Sequence, residues 1–166
     1  MIDIKDVSFS YGGKDVKALN QVSLHIGKGE CVLLVGLSGC GKTTFLKLLL
    51  GQLKGYEGKI LYDGKELSSY DVDSFYEQMA YIEQSIFLFD TSIRNNITLG
   101  DGVSAEKLEE ILAMSALKEE IKKFPDELET KAGENGKNLS GGQKQRIAVA
   151  RALAHDRQIL FVDEGT

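Results

Sequence analysis

The sequence predicts an α/β fold in which helices cover a partly parallel sheet. Two short apolar runs, residues 31–35 and 159–162, are typical of strands buried on both faces, as in a parallel sheet. The first run leads through a glycine-rich loop into a helical pattern, and the second ends directly at two acids. Polar groups that follow parallel strands meet at one edge of the sheet, where α/β proteins bind their ligands.

The composition is that of one globular domain. The chain has 166 residues, of which 42% are hydrophobic and 27% charged, and its net charge is −5. This charge disfavours non-specific binding to nucleic acid or anionic lipid. The sequence carries no secretory signal and no apolar run near the roughly 18 residues of a membrane span. Cys31 and Cys40 fit the reduced thiols of a cytosolic protein.

The first half of the chain is predicted to hold strands separated by glycine turns. Ile2, Ile4 and Val7 indicate a first strand, and Gly12 with Gly13 indicates a turn after it. Further strands are predicted over residues 18–26, 59–62 and 79–82.

The second half is predicted to be mostly helical. Ser104 is the expected cap of a helix over residues 105–117, whose apolar residues recur at the spacing of one helical face. Those positions are Leu108, Ile111, Leu112 and Ser115. Another helix is predicted over residues 143–153.

Residues 36–43 form a phosphate-binding motif, G-x-x-x-x-G-K-[ST]. Backbone N–H groups of such a loop converge on phosphate oxygens, and the helix predicted over residues 43–50 adds its positive dipole end. Lys42 is expected to reach the β- and γ-phosphates, and the Thr43 hydroxyl to bind Mg²⁺. The alternative is a tight glycine turn with a surface lysine. The apolar run before the loop and the helix after it favour the phosphate site.

Asp163 and Glu164 follow the last predicted strand. Since this strand end is expected at the same sheet edge as the phosphate loop, Asp163 suits a Mg²⁺ shell. Glu164 suits a general base that polarises the attacking water. The alternative is a solvated acidic turn.

A second glycine motif, residues 139–143, opens the helix predicted near the end of the chain. Ser140, Gly141 and Gly142 at a helix start make a further anion-binding site. Because one nucleotide does not need two such sites, this one is expected to serve the nucleotide of a second subunit. Taken alone, the motif would be an ordinary helix cap.

These motifs together resemble the nucleotide-binding domain of ABC transporters. The Walker A loop at 36–44, the signature at 139–143 and the Walker B strand ending at Asp163 and Glu164 occur in that family's order and spacing. The resemblance implies a P-loop NTPase fold, with a RecA-like core, an antiparallel β part at the N-terminus and an inserted α-helical subdomain. It divides the chain into an ATP-binding core, 1–84 and 144–166, and a helical subdomain, 85–143.

The resemblance also implies ATP and Mg²⁺ as ligands. It suggests that Tyr11 stacks on adenine, although a half-buried strand tyrosine is the alternative, and that Gln84 is the glutamine that senses Mg²⁺ and a transmembrane partner. The implied nucleotide contacts are Tyr11, Gly36, Ser38, Gly39, Cys40, Gly41, Lys42, Thr43, Thr44, Ser140, Gly141, Gly142 and Gln143. The implied metal ligands are Thr43, Gln84 and Asp163, and the implied catalytic residues are Glu164, Lys42 and Gln84.

Two segments, 84–97 and 133–136, are similar to the exporter branch of the family. The function implied is that of an ATPase subunit or domain that powers export through ATP-driven dimer closure. The implied partners are a transmembrane domain, on the same or a separate chain, and a second nucleotide-binding domain, identical or different. The implied location is the cytoplasmic face of the cell membrane, peripheral or fused to an integral membrane domain, and no nucleic acid is expected.

The sequence departs from the family at its end. Gly165 stands where the family has a small apolar residue or proline, and the family's D-loop, next strand and switch histidine are expected after Thr166. Neither His25 nor His155 is at the switch position. The chain is therefore expected to be a truncated domain that lacks the C-terminal part of the fold. Two alternatives remain: a non-transport ABC ATPase acting on nucleic acid or ribosomes, and an inactive nucleotide-binding fragment.

Overall fold

The computed structural model describes residues 1–13 and 16–163. The predictions made for Glu164 and Gly165 lie outside the described residues. The chain forms two compact units, one from Met1 to Phe75 and one from Tyr76 onwards. The division into an ATP-binding core and a helical subdomain with other boundaries stays a prediction.

The helices and strands alternate irregularly along the chain. The strands are β1 (Ile2–Phe9), β2 (Leu19–Ile26), β3 (Glu57–Tyr62), β4 (Lys65–Glu66), β5 (Met79–Ile82) and β6 (Ile159–Val162). The α-helices are α1 (Lys42–Leu49), α2 (Val72–Tyr76), α3 (Ile93–Thr98), α4 (Ala105–Met114), α5 (Lys118–Ile121) and α6 (Gly141–Ala154). Short 3₁₀ turns occupy Tyr11–Gly13, Leu67–Ser69, Glu127–Glu129 and Glu134–Gly136.

The first unit contains a four-stranded antiparallel sheet in the order β2-β1-β3-β4. This sheet confirms the antiparallel β part predicted for the N-terminus. Val7 and Ile60 are fully buried in it, and the Tyr62 hydroxyl donates a 2.7 Å hydrogen bond to the Leu49 carbonyl of α1. The end of α1 is thereby attached to the sheet of its own unit.

The strand predicted over residues 31–35 is wrong. This run has no strand conformation, and the side chains of Leu33 and Val35 are 83% and 84% exposed. An apolar run forms a stable strand only where neighbouring strands bind its backbone N–H and C=O groups. The two sheets found among the described residues, β2-β1-β3-β4 and β5-β6, do not include it.

The second unit contains a parallel pair, in which β5 and β6 align Met79 with Ile159 and Ile82 with Val162. The strand predicted over residues 159–162 is confirmed, but its predicted burial on both faces is wrong. Phe161 is buried, whereas Leu160 and Val162 are 42% and 39% exposed. Successive side chains of a strand point to opposite faces, so Leu160 and Val162 share an open face while Phe161 lies on the covered one.

The helices of the second unit share one apolar core. Its fully or nearly fully buried members are Leu88, Ile93, Ile97, Leu108, Ile111, Leu112, Leu117, Ile121, Ala132, Ile147 and Ala150. The apolar face predicted for the helix after Ser104 is confirmed, because Ile111 belongs to this core. Ser115, on the same face, is buried as well. Ser104 caps α4 by accepting a hydrogen bond from the Lys107 N–H.

Replacing Ile111 by alanine is expected to destabilise the protein by about 2–5 kcal/mol, because it leaves a cavity in this core. The matched control is Met114→Ala at the end of the same helix, where the side chain is 64% exposed. Urea unfolding followed by circular dichroism measures both variants. Equal losses of stability would contradict the burial pattern of α4.

Candidate nucleotide-binding site

The phosphate loop, defined as residues 36–43, enters α1 through glycines in left-handed conformations. Gly39 has φ 80° and Gly41 has φ 98°, which side chains rarely tolerate. Gly41 occupies the N-cap position of α1. Because glycine has no side-chain oxygen, it leaves the first-turn N–H groups to bind an anion.

The first and last glycines of the loop are closely surrounded. A Cβ on Gly36 would lie 2.6 Å from the Cys40 sulfur, and one on Gly41 would lie 2.7 Å from the Ala18 carbonyl oxygen. Both distances are too short for real contacts. Because the Ala18 oxygen belongs to the backbone and Gly41 has a positive φ, Gly41 is required by the packing of the loop, whereas the exposed Cys40 side chain can rotate away from a Cβ on Gly36.

Lys42 is held across the loop that precedes it. Its Nζ donates hydrogen bonds to the carbonyl oxygens of Gly36, at 2.7 Å, and Leu37, at 3.0 Å. The Cys40 sulfur lies 3.8 Å from the same nitrogen, and the Cys40 side chain is exposed. The ammonium group is thus fixed over the loop's backbone, where a phosphate bound by that backbone would meet it.

Tyr11 lies beside the start of α1. Its hydroxyl is 3.1 Å from the hydroxyl of Thr44, and its ring meets that of Phe9 edge to face at 4.9 Å. The residue lies beyond the end of β1, in a 3₁₀ turn, and is 48% exposed, so it is not a strand residue as the alternative interpretation has it. Its open ring is available for stacking, and its role stays a prediction.

In the second unit, Gln84 and Asp163 line the same cavity of about 50 Å³. Asp163 follows β6, and its backbone N–H donates to the Ile82 carbonyl at the end of β5. The parallel pairing therefore brings a carboxylate and an amide to one end of the strand pair, and their role as metal ligands stays a prediction. Glu164 lies outside the described residues.

Tyr81 is a member of this group that the sequence analysis did not identify. Its hydroxyl donates to Asp163 Oδ2 at 3.3 Å. Burial and, after it, the charge of Asp163 raise the pKa of Tyr81. The phenol consequently stays protonated at neutral pH and orients the carboxylate. The sequence signal was weak, because a tyrosine in a strand is common for packing reasons alone.

The signature segment, defined as residues 139–143, forms the start of α6. The Ser140 hydroxyl accepts from the Gln143 N–H at 3.3 Å, and the Gln143 side-chain oxygen accepts from the Ser140 N–H at 2.8 Å. This reciprocal pair is a capping box. These groups therefore form the helix cap of the alternative interpretation. They also lie at an exposed helix start.

Gly141 and Gly142 are not required by this cap. A Cβ on either would meet no atom within 4 Å in the described part of the chain, and neither has a positive φ. Glycine costs a helix about 0.5–1 kcal/mol relative to alanine. Their presence is explained if something outside the chain approaches the backbone here.

Among the described residues, no group of three or more His, Cys, Asp or Glu side chains is placed to hold a metal ion. A Mg²⁺ site completed by nucleotide phosphates does not need such a group, since one or two carboxylates suffice. No helix in the described ranges is long and apolar enough to cross a membrane.

Comparison with known proteins identifies the family. The sequence profile described as ABC transporter matches residues 19–166. The chain belongs to the ABC transporter family. The resemblance deduced from the phosphate loop, the signature segment and the final acids is thereby confirmed.

The similar proteins within this family are exporters. The chain is 42% identical over 167 aligned residues to the ATP-dependent lipid A-core flippase of Escherichia coli K12 and, equally, to that of Shigella flexneri. It aligns over 98% of its length with a bacterial Atm1-family ABC exporter solved with ATP bound, at a TM-score of 0.87 and 34% identity. These matches cover 99% and 98% of this chain but 29% of each relative. They confirm the P-loop fold class and the exporter branch.

Replacing Gly142 by alanine is expected to separate stability from function. The unfolding free energy should stay unchanged or rise by up to about 1 kcal/mol, because alanine favours the helix and meets no neighbour. ATP turnover should fall at least about tenfold if a phosphate approaches this backbone. Thermal unfolding and phosphate release measure the two effects. Gly102→Ala, at an exposed glycine that is also free of close neighbours, is the control. Unchanged turnover in Gly142→Ala would show that the signature segment is only a cap.

Proposed function

We propose that this chain is the ATP-binding and ATP-hydrolysing domain of an ABC exporter. The observation that carries the proposal is the phosphate loop, where the Lys42 ammonium is fixed by the Gly36 and Leu37 carbonyls above a glycine cradle at the start of α1. Such a loop binds the phosphates through backbone N–H groups and the helix dipole, and the lysine offsets the charge of the β- and γ-phosphates.

Residues beside the loop and within it provide further contacts to the nucleotide. Tyr11 supplies an exposed ring for adenine, and its hydroxyl contact with Thr44 fixes that ring beside α1. Ser38 and Gly39 present their backbone N–H groups to the phosphates, and Cys40, whose N–H donates to the Leu37 carbonyl at 3.2 Å, lies beside them in the loop. The fit is supported by the glycine cradle, which leaves the backbone accessible.

The donor set of the chain fits Mg²⁺. The Thr43 hydroxyl, the Gln84 amide and the Asp163 carboxylate are hard oxygen ligands of the kind that Mg²⁺ takes together with substrate phosphates. Support comes from the shared cavity of Gln84 and Asp163 and from the hydroxyl of Tyr81 that orients the carboxylate. When bound, the ion neutralises charge on the transferred phosphoryl group.

Hydrolysis is assigned to Glu164, which polarises the attacking water as a general base. Ser140, Gly141, Gly142 and Gln143 act on the nucleotide of a second, identical or different, domain. Support for this arrangement is the exposed start of α6, with its two glycines that the chain's own packing does not require. Two such domains close on ATP and separate after hydrolysis. The pair therefore switches between two states and acts as a two-state device.

The partner that uses this device is a transmembrane domain, on the same or a separate chain. The domain then works at the cytoplasmic face of a membrane. Export is favoured over action on nucleic acid or ribosomes, because the relatives are a lipid A-core flippase and an Atm1-family exporter. The net charge of −5 also lacks the basic character of a nucleic-acid binder.

Lys42→Ala tests the nucleotide site directly. The variant is expected to bind ATP at least about tenfold more weakly, because it loses charge-assisted hydrogen bonds to phosphate. Isothermal titration calorimetry of the purified protein with Mg-ATP measures the affinity. Lys54→Ala removes an exposed lysine beyond α1 and serves as the control. Equal affinities in the two variants would refute the site.

Glu164→Gln tests the general base. The variant is expected to bind ATP and accumulate as an ATP-bound dimer, while turnover falls by at least about a hundredfold. Size-exclusion chromatography and phosphate release measure the two properties. Glu127→Gln changes an exposed carboxylate elsewhere and is the control. Hydrolysis retained by Glu164→Gln would exclude Glu164 from this role.

A further inference from the structure

Glu120, on the short helix α5, contacts the signature segment. Its Oε2 accepts a hydrogen bond from the side-chain nitrogen of Gln143 at 3.1 Å. The flanking residues Leu117 and Ile121 are buried in the apolar core of the second unit. The position of Glu120 is therefore set by packing, although its own side chain is 23% exposed.

This contact determines which way the Gln143 amide points. A glutamine amide has one accepting end and one donating end, whereas an ionised carboxylate only accepts. With Glu120 taking the Nε2 end, the Oε1 end of Gln143 is directed to the Ser140 N–H, which it meets at 2.8 Å. Without Glu120, rotation of the amide would present a donor to that N–H and break the capping box.

Two cations hold the carboxylate in place. Glu120 Oε1 lies 3.2 Å from the Lys123 ammonium and 3.5 Å from the Arg146 guanidinium of α6. The hydrogen bond from Gln143, followed by the contacts with Lys123, lowers the pKa of Glu120. The group therefore stays ionised, and acts only as an acceptor, throughout the neutral range.

We propose that Glu120 is a positioning residue for the signature segment: it fixes the Gln143 amide and thereby holds Ser140 and the start of α6 in the geometry that receives the second domain's γ-phosphate. The role toward the phosphate rests on the proposed function. The geometry rests on the hydrogen-bond chain Glu120–Gln143–Ser140. The opposite effect of a nearby carboxylate, repulsion of the phosphate, is countered by Arg146 and Lys123.

The first experiment needs no nucleotide. Hydrogen exchange of the Ser140 amide, followed by NMR or mass spectrometry, is compared in wild type, Glu120→Ala and Glu119→Ala. Glu119 is on the same helix, and its carboxylate pairs with the Lys122 ammonium at 2.7 Å. Exchange is expected to be about three- to tenfold faster in Glu120→Ala, because a hydrogen bond of ordinary net strength is lost. Equal exchange in the two variants would overturn the proposed chain.

The second experiment measures ATP binding and turnover in the purified wild-type protein and in two variants of Glu120. Glu120→Ala is expected to keep the ATP affinity of the phosphate loop and to lower kcat about three- to tenfold. Glu120→Gln, which retains an accepting oxygen for Gln143, is expected to recover part of that loss. A merely structural role would instead lower thermal stability and ATP affinity together. Unchanged kcat in Glu120→Ala, or a raised kcat in both variants, overturns the positioning role.

The two readouts separate this inference from the proposed function. If the wild-type protein neither binds nor hydrolyses ATP, the proposed function fails, and Ser140 exchange still decides whether Glu120 orders the start of α6. If the wild type hydrolyses ATP and Glu120→Ala does so equally well, the proposed function stands and the positioning role is wrong.

Discussion

Access of backbone N–H groups to an anion is the constraint on which both halves of the candidate site depend. At α1, glycine at the N-cap keeps the first-turn N–H groups accessible, and the folded loop carries Lys42 above them. Such a helix start must nevertheless be held rigidly, since phosphate binding by backbone dipoles requires them to be oriented in advance. Burial of Leu48 and Leu49, with the hydrogen bond from Tyr62 to the Leu49 carbonyl, supplies that rigidity at the far end of the helix.

The signature helix α6 is held by polar contacts at both ends. At its start, Glu120 and the capping box orient Gln143 and Ser140. Near its end, Arg151 donates to the carbonyl oxygens of Asn96, at 2.8 Å, and Phe87, at 3.1 Å. Asn96 is itself fully buried and hydrogen-bonded to the backbone of Phe89. These hydrogen bonds connect α6 to the segment after Gln84, which is similar to the exporter branch of the family.

Local patterns predicted α1, α4 and α6, because the causes of these helices lie within a few residues. The cap at Ser104 and the apolar face of α4 follow from short-range spacing, whereas the cap at Ser140 was only the alternative interpretation of its motif. Features that depend on distant partners were missed. Residues 31–35 have strand-like composition but no strand beside them in the described chain. Tyr81 and Glu120 have roles only through Asp163 and Gln143, 82 and 23 positions away.

The glycines of the two motifs differ in whether the packing of the chain itself requires them. Gly41 is crowded by the Ala18 backbone and has a positive φ, so the loop's own packing explains this glycine with or without a ligand. Gly141 and Gly142 are different, because they open a helix that alanine would stabilise and have no close neighbour in the described residues. A glycine that weakens its own helix and relieves no close contact within the chain supports a contact with another molecule. The glycines of the signature segment are therefore the feature that best supports the proposed contact of α6 with a second molecule.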